Sequence, residues 1–178
     1  MFSAKKICFA LLLCIILSST NTIAAIPYDH ELAGRYETVA GYPKSNRVAN
    51  IVRAAELIDG YIIYPDELFS FNEATGPTTK KNGFLKARVF VKGRDAKGYG
   101  GGVCQVSSTL LNAAIDAQLT VIERHSHSKD VGYVPENMDA AVTYGGKDLK
   151  FINSLDSPVM ICAYTVENRL VVEIYRIY

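Results

Sequence analysis

Gly100-Gly101-Gly102-Val103-Cys104-Gln105-Val106-Ser107-Ser108-Thr109-Leu110, and further on Thr120-Val121-Ile122-Glu123-Arg124-His125-Ser126-His127, bracket the point where the chain changes period. After the three glycines, Val106, Leu110, Ala113, Ala114 and Ala117 recur at helical spacing. That predicts a helix over about 104–119 with these residues on its buried face. From residue 120 onward, alternation replaces the helical period. It predicts strands over 120–127, 140–144, 149–153, 159–164 and 170–177, with a turn at Glu167-Asn168 before the last.

Working back toward the N-terminus, Ser45 opens a second helical pattern. Val48, Ile51, Val52, Ala55 and Ile58 share one face, and Gly60 supplies the stop. Tyr61-Ile62-Ile63-Tyr64 reads as a short strand ended by Pro65-Asp66, and residues 84–91 as another. Residues 93–102 read as a glycine-rich loop. Helices early and strands late predict an α+β fold, with a largely antiparallel sheet in the C-terminal part.

The 178 residues suit one domain of ordinary size, and 49% hydrophobic with 21% charged residues is a globular composition. Net charge is +1 and the basic residues form no block, so nucleic acid is not an expected partner. Lys5 and Lys6 precede an apolar run over 7–17, and Thr22-Ile23-Ala24 offers small residues where a signal peptidase reads. The run is short for a bilayer span, so 1–24 is read as a secretory signal. Residues 25–44 are then an N-terminal lead-in segment, mixed and polar, and 45–178 the folded domain. No stable membrane span is expected once the signal is cleaved, and the domain is expected to be exported.

Chemistry concentrates at the glycines. Cys104 would stand at a helix N-terminus, where the dipole and unpaired N–H groups favour a thiolate. The glycines would leave room for substrate. No Gly-Lys-Ser/Thr ending follows them, which excludes a phosphate-binding P-loop. A base is offered by His125 and His127, placed on one face of the predicted strand by alternation. Asp130, Asp139, Asp148 and Asn153 follow as groups to orient it. The order cysteine, histidine, acid is shared with papain-like and transglutaminase-like thiol enzymes, so an arrangement of that kind is one expected outcome. Three rival readings stand beside it: a stabilising Cys104–Cys162 disulfide, a zinc site built from Cys104, His125 and His127, and histidines that serve only as hydrogen-bonded structural groups.

The run from Gly100 to Leu110 resembles the signature of the VanW-like family, and other segments match it in order. They are Ser45-Asn46-Arg47-Val48-Ala49-Asn50-Ile51, Phe69-Ser70-Phe71-Asn72, Glu123-Arg124-His125-Ser126-His127-Ser128, Tyr133-Val134-Pro135, Asp139-Ala140-Ala141-Val142 and Asp148-Leu149-Lys150-Phe151-Ile152-Asn153. Asp66, Gln118 and Asn137 stand where the family commonly has glycine, and Leu111 where tyrosine is common. The resemblance implies a bacterial envelope setting and a link to glycopeptide-resistance gene clusters. It implies no particular reaction.

The expectation is therefore an exported thiol enzyme acting on peptidoglycan or an envelope peptide, without cofactor or metal. Cys104 is the nucleophile, His127 the base with His125 its alternative, and Asp139 or Asp148 the orienting acid. Gln105 and loop N–H groups help hold an oxyanion. Gly100, Gly101, Gly102, Ser107, Ser108, Arg124 and Tyr133 line the substrate. The alternatives are a non-catalytic cell-wall binding or accessory domain of glycopeptide resistance, and the zinc site.

Overall fold

The computed structural model of the chain describes residues 29–41, 44–91 and 94–178. The proposed signal segment lies outside these residues. No helix among the described residues is long and apolar enough to cross a membrane. The elements are β1 (His30–Val39), α1 (Asn46–Ile58), β2 (Tyr61–Ile63), β3 (Leu68–Ser70), α2 (Phe71–Thr75), β4 (Lys86–Val91), β5 (Arg94–Tyr99), α3 (Val103–Asp116), β6 (Thr120–Glu123), β7 (Lys150–Ile152), β8 (Val159–Val166) and β9 (Arg169–Ile177). The fold is α+β, and every strand pairing is antiparallel.

Four strands form the main sheet in the order β1-β9-β8-β2. β8 and β9 make a hairpin whose turn carries Glu167 in the left-handed region, φ 54°. A second sheet, β3-β7-β6, places Phe69 and Val121 on either side of Phe151. Phe69 and Phe151 stack at 4.8 Å, with the Tyr61 ring edge-on to Phe69 at 5.0 Å. Each such ring removed from water contributes on the order of 2–3 kcal/mol. β4 and β5 form a separate two-stranded ribbon.

α1 is capped as the sequence predicts: the Ser45 hydroxyl accepts from the Val48 N–H, and the helix ends before Gly60. α3 differs from its expected one-sided pattern, because eleven of its fourteen residues are buried. On one side β1 lies directly on it. A Cβ at Gly34 would stand 2.4 Å from both the Ala113 carbonyl oxygen and the Ala117 nitrogen. Its polar residues are buried too: Thr109 against Thr38 of β1, their hydroxyls 2.9 Å apart, and Ser107, Ser108 and Asn112 against residues 138–140. Burying such groups costs less when they are hydrogen-bonded, and each makes at least one hydrogen bond here, while the Asn112 Oδ1 is left without a partner.

Four local readings are corrected. The lead-in segment contains β1, which completes the main sheet against β9. The glycine-rich loop contains β5. β6 ends at Glu123, so His125 and His127 lie beyond the strand. Residues 140–144 form no strand: Ala140 is bonded through both backbone groups to side chains of α3, the Ala141 N–H to the His125 carbonyl and the Thr143 N–H to the Lys147 carbonyl.

Candidate functional site

The polar stripe of α3 builds the site. Ser107 Oγ donates to the Ala140 carbonyl at 2.7 Å, and Ser108 Oγ accepts the Ala140 N–H at 2.9 Å. Asn112 Nδ2 donates to the Met138 carbonyl at 2.7 Å, and the Cys104 thiol points at the Val142 carbonyl, 3.5 Å away. Residues 138–142 are thereby laid along the helix. The Ala141 N–H meets the His125 carbonyl at 2.7 Å, which draws the 125–127 segment to the same place. Ser107 and Ser108, expected to line the substrate, instead hold this segment down.

Asp139 projects from the clamped segment toward His127. Its Oδ2 accepts the His127 backbone N–H at 2.6 Å and ring Nδ1 at 2.5 Å. Arg124 grips the same residue twice, Nε to its carbonyl at 2.6 Å and Nη2 to Oδ1 at 3.1 Å. Asp139 is almost fully buried, yet these donors outweigh the effect of burial and hold its carboxyl below the ordinary range. With Nδ1 committed to Asp139, the imidazole turns its remaining chemistry to Cys104. Burial lowers the basicity of His127, but hydrogen bonding to the Cys104 thiol and to Asp139 overrides it, and the net shift is upward. Asp139 is bonded to His127 and Cys104 acts on the basicity of the same ring, so the three side chains group at the start of α3.

The pH consequence has a definite sign. The raised His127 contributes stability that is present below its ordinary 6.5 and lost as pH rises through its folded value. The lowered Asp139 contributes stability present above its ordinary 3.8 and lost as pH falls through its folded value. In an NMR titration His127 is expected to titrate above 6.5. It should move down in both Cys104→Ser and Asp139→Asn, since each removes one group that favours the charged ring. An unmoved midpoint in both variants would refute the coupling.

Tyr133 joins the unit from the loop beyond His127. Burial pushes its phenol far up, the nearby Cys104 charge adds to this, and a hydrogen bond with Ser108 only partly opposes it, so the hydroxyl stays protonated. Next to it is Arg47, which the sequence reading quoted in a family segment but gave no role. Its guanidinium is half-buried, with Nη1 on the Ala40 carbonyl at 2.9 Å and Nη2 on Gln105 Oε1 at 2.6 Å. Behind His127 and Asp139, residues 129–137 enclose a cleft of about 260 Å³.

Other expected residues are placed elsewhere. The Gln105 side chain is spent on Arg47, Thr38 and the Val39 carbonyl, and its N–H goes to the Gly102 carbonyl. His125 faces Glu123 at 2.9 Å, and Lys150 takes the other oxygen of that carboxylate at 2.9 Å. The hydrogen bonds from Lys150, first, and His125 bring Glu123 down to about 2. Asp148 accepts from Ser70 Oγ at 2.6 Å and from the Asn72 and Leu149 N–H groups, so it anchors α2 instead of orienting His127. Asn153 braces Ile63 and Ser157, and Asp130 is exposed on the loop. Gly100, Gly101 and Gly102 leave no open room. A Cβ on them would meet Thr78 at 2.6 Å, the Arg88 carbonyl at 2.3 Å and the Arg47 carbonyl at 2.8 Å.

Cys104 and Cys162 are not joined, and Cys162 is buried in β8, so the disulfide is not formed. Among the described residues no three His, Cys, Asp or Glu side chains gather as metal ligands. Cys104, His125 and His127 do not converge, because His125 turns to Glu123.

The family model described as VanW like protein matches residues 46–175. The chain belongs to the VanW-like family. It is 39% identical over 142 residues to the uncharacterized protein YoaR of Bacillus subtilis, covering 80% of this chain and 47% of that one. It is 27% identical over 139 residues to the Vancomycin B-type resistance protein VanW of Enterococcus faecalis, covering 74% of this chain and 50% of that one. The chain thus spans about half the length of the curated relatives it matches. No solved structure matches it. The matched VanW-like region contains Cys104, His127, Asp139, Tyr133 and Arg47, so the whole unit lies within the family domain.

Proposed function

We propose that this VanW-like protein is an exported cell-envelope enzyme that uses Cys104 for acyl transfer on peptidoglycan or envelope peptides. The observation that carries the reading is the Cys104–His127–Asp139 unit, with Nδ1 of the base tied to a buried carboxylate. The resistance named for the Enterococcus relative supports a cell-wall substrate. Lys5, Lys6 and the apolar run that follows support export.

In the proposed cycle the Cys104 thiol passes its proton to His127, its sulfur attacks an amide carbonyl carbon, a C–S bond forms, and the carbonyl π electrons move onto oxygen. The neutral Tyr133 hydroxyl and the Cys104 N–H are assigned as the donors to that oxyanion. Collapse breaks the C–N bond as His127 gives its proton to the leaving amine. Water, or a second amine, then loses a proton to His127, attacks the thioester and releases the thiolate.

Acid quenching during turnover of peptidoglycan fragments is expected to trap an acyl adduct on the peptide containing residue 104, removable with hydroxylamine and found by mass spectrometry. A protein that turns over without that adduct has its chemistry elsewhere. A protein that binds the fragments without turning them over is the accessory domain. For export, N-terminal sequencing of the envelope form should begin near Ala25, and an intact Met1 would make the apolar run an anchor instead.

A further inference from the structure

Arg47 occupies an electrostatically unfavourable place. It is the second residue of α1, and α1 and α3 point their N-termini at the same spot: a Cβ on Gly102, the cap of α3, would lie 2.8 Å from the Arg47 carbonyl oxygen. Helix N-termini carry partial positive charge, so a guanidinium there opposes two dipoles. Its two acceptors, the Ala40 carbonyl and the Gln105 amide, are neutral, and no carboxylate among the described residues pairs with it. Burial disfavours its charged form, and its one electrostatic neighbour, Tyr133, is itself kept neutral. A half-buried cation held by neutral groups is satisfied by binding an anion, and a guanidinium matches a carboxylate with two parallel N–H donors. The Gln105 bond fixes this guanidinium, and Tyr133, which feels both the Arg47 and the Cys104 charge, lies between it and the thiol's surroundings.

We infer that Arg47 is a specificity-determining residue that receives a substrate carboxylate, so that the peptide handled at Cys104 carries a free carboxylate close to the scissile amide. This rests on the proposed thiol-enzyme function. No role at the chemical step is assigned to Arg47, which positions substrate only.

The probes are iodoacetate and its neutral counterpart iodoacetamide, with alkylation of Cys104 followed site by site in the full chain. Arg47→Gln is expected to slow iodoacetate relative to iodoacetamide roughly fivefold to tenfold, an effect that weakens in high salt. Arg47→Lys should retain most of the preference. An unchanged ratio overturns the inference, and so does an equal fall with both reagents, which would place Arg47 on the thiolate. Should Arg47→Gln fail to fold by circular dichroism, the wild-type protein decides. Acetyl-alanyl-alanine as the free acid should protect Cys104 from iodoacetamide where its C-terminal amide does not, and equal protection, or none from either, overturns the inference. A Cys104 no more reactive than free cysteine overturns the thiol-enzyme reading and this inference with it. A reactive Cys104 with no carboxylate preference overturns the inference alone.

Discussion

Turnover by the Cys104→Ser variant is expected to fall by about three to four orders of magnitude, with the melting temperature almost unchanged. The exchange keeps the shape of the side chain, and apart from its action on His127 the thiol makes a weak contact, 3.5 Å to the Val142 carbonyl. Stability therefore has little to lose, while the nucleophile is lost. His127→Ala should match this fall, because a thiol without its base and a base without its thiol are equally inert. The double variant should be no slower than either single one, since groups acting as a unit do not lose activity additively. Asp139→Asn should lose less. It keeps the size of the side chain but removes the charge that favours an imidazolium, and its amide can leave Nδ1 bonded the wrong way round. Peptide release from purified peptidoglycan, with melting curves alongside, reads all four. Wild-type turnover in Cys104→Ser would place the chemistry elsewhere in the protein. Additive losses in the double variant would mean that the two residues do not work together.

The parts of this fold legible in the sequence are those that local chemistry decides. Ser45 caps α1 because its hydroxyl reaches the Val48 N–H, and alternation in β8 and β9 reflects one face turned to the core. β1 was hidden because an edge strand has few reasons to be apolar. Its residues are mostly exposed or half-buried, and the one that matters most is Gly34, which a strand pattern penalises but the approach of α3 requires. β5, with Arg94, Asp95, Lys97 and Gly98, has no apolar alternation at all. The site divides in the same way. Cysteine and histidine announce themselves by residue type, but which histidine and which acid act depends on contacts distant in sequence. Asp139 is chosen over Asp148 by the grip of α3 on residues 138–142 and by Arg124, neither of which has a local signature. The departures from the family pattern have a plain physical meaning. Asp66, Gln118 and Asn137, where glycine is common, all adopt left-handed backbone, with φ 62°, 61° and 61°. The family's glycines there answer a turn, and this chain accepts L-residue strain of roughly 1 kcal/mol at each.

Gly101→Ala is expected to destabilise the protein by about 3 kcal/mol or more, lowering the melting temperature by roughly 10 °C. Gly101 has no left-handed backbone to protect, so the effect comes from space alone. The new Cβ would lie 2.3 Å from the Arg88 carbonyl oxygen and 3.0 Å from the Ala87 Cβ. The colliding atom is backbone, so trimming the Arg88 side chain cannot relieve it, and β4 must move away from the start of α3. That movement strains the fully buried Asn50, whose amide ties the Gly101 carbonyl to both backbone groups of Leu85. The variant also separates two meanings of the glycine run. If these residues stood open to admit substrate, an added methyl group would raise KM and leave the melting temperature alone. In the packing found here, stability falls first, and activity measured well below the melting point falls only as far as Cys104 shifts with the helix. Thermal melts paired with kinetics on the same preparation decide the matter, and an unchanged melting temperature with an impaired KM would return Gly101 to the substrate side of the site.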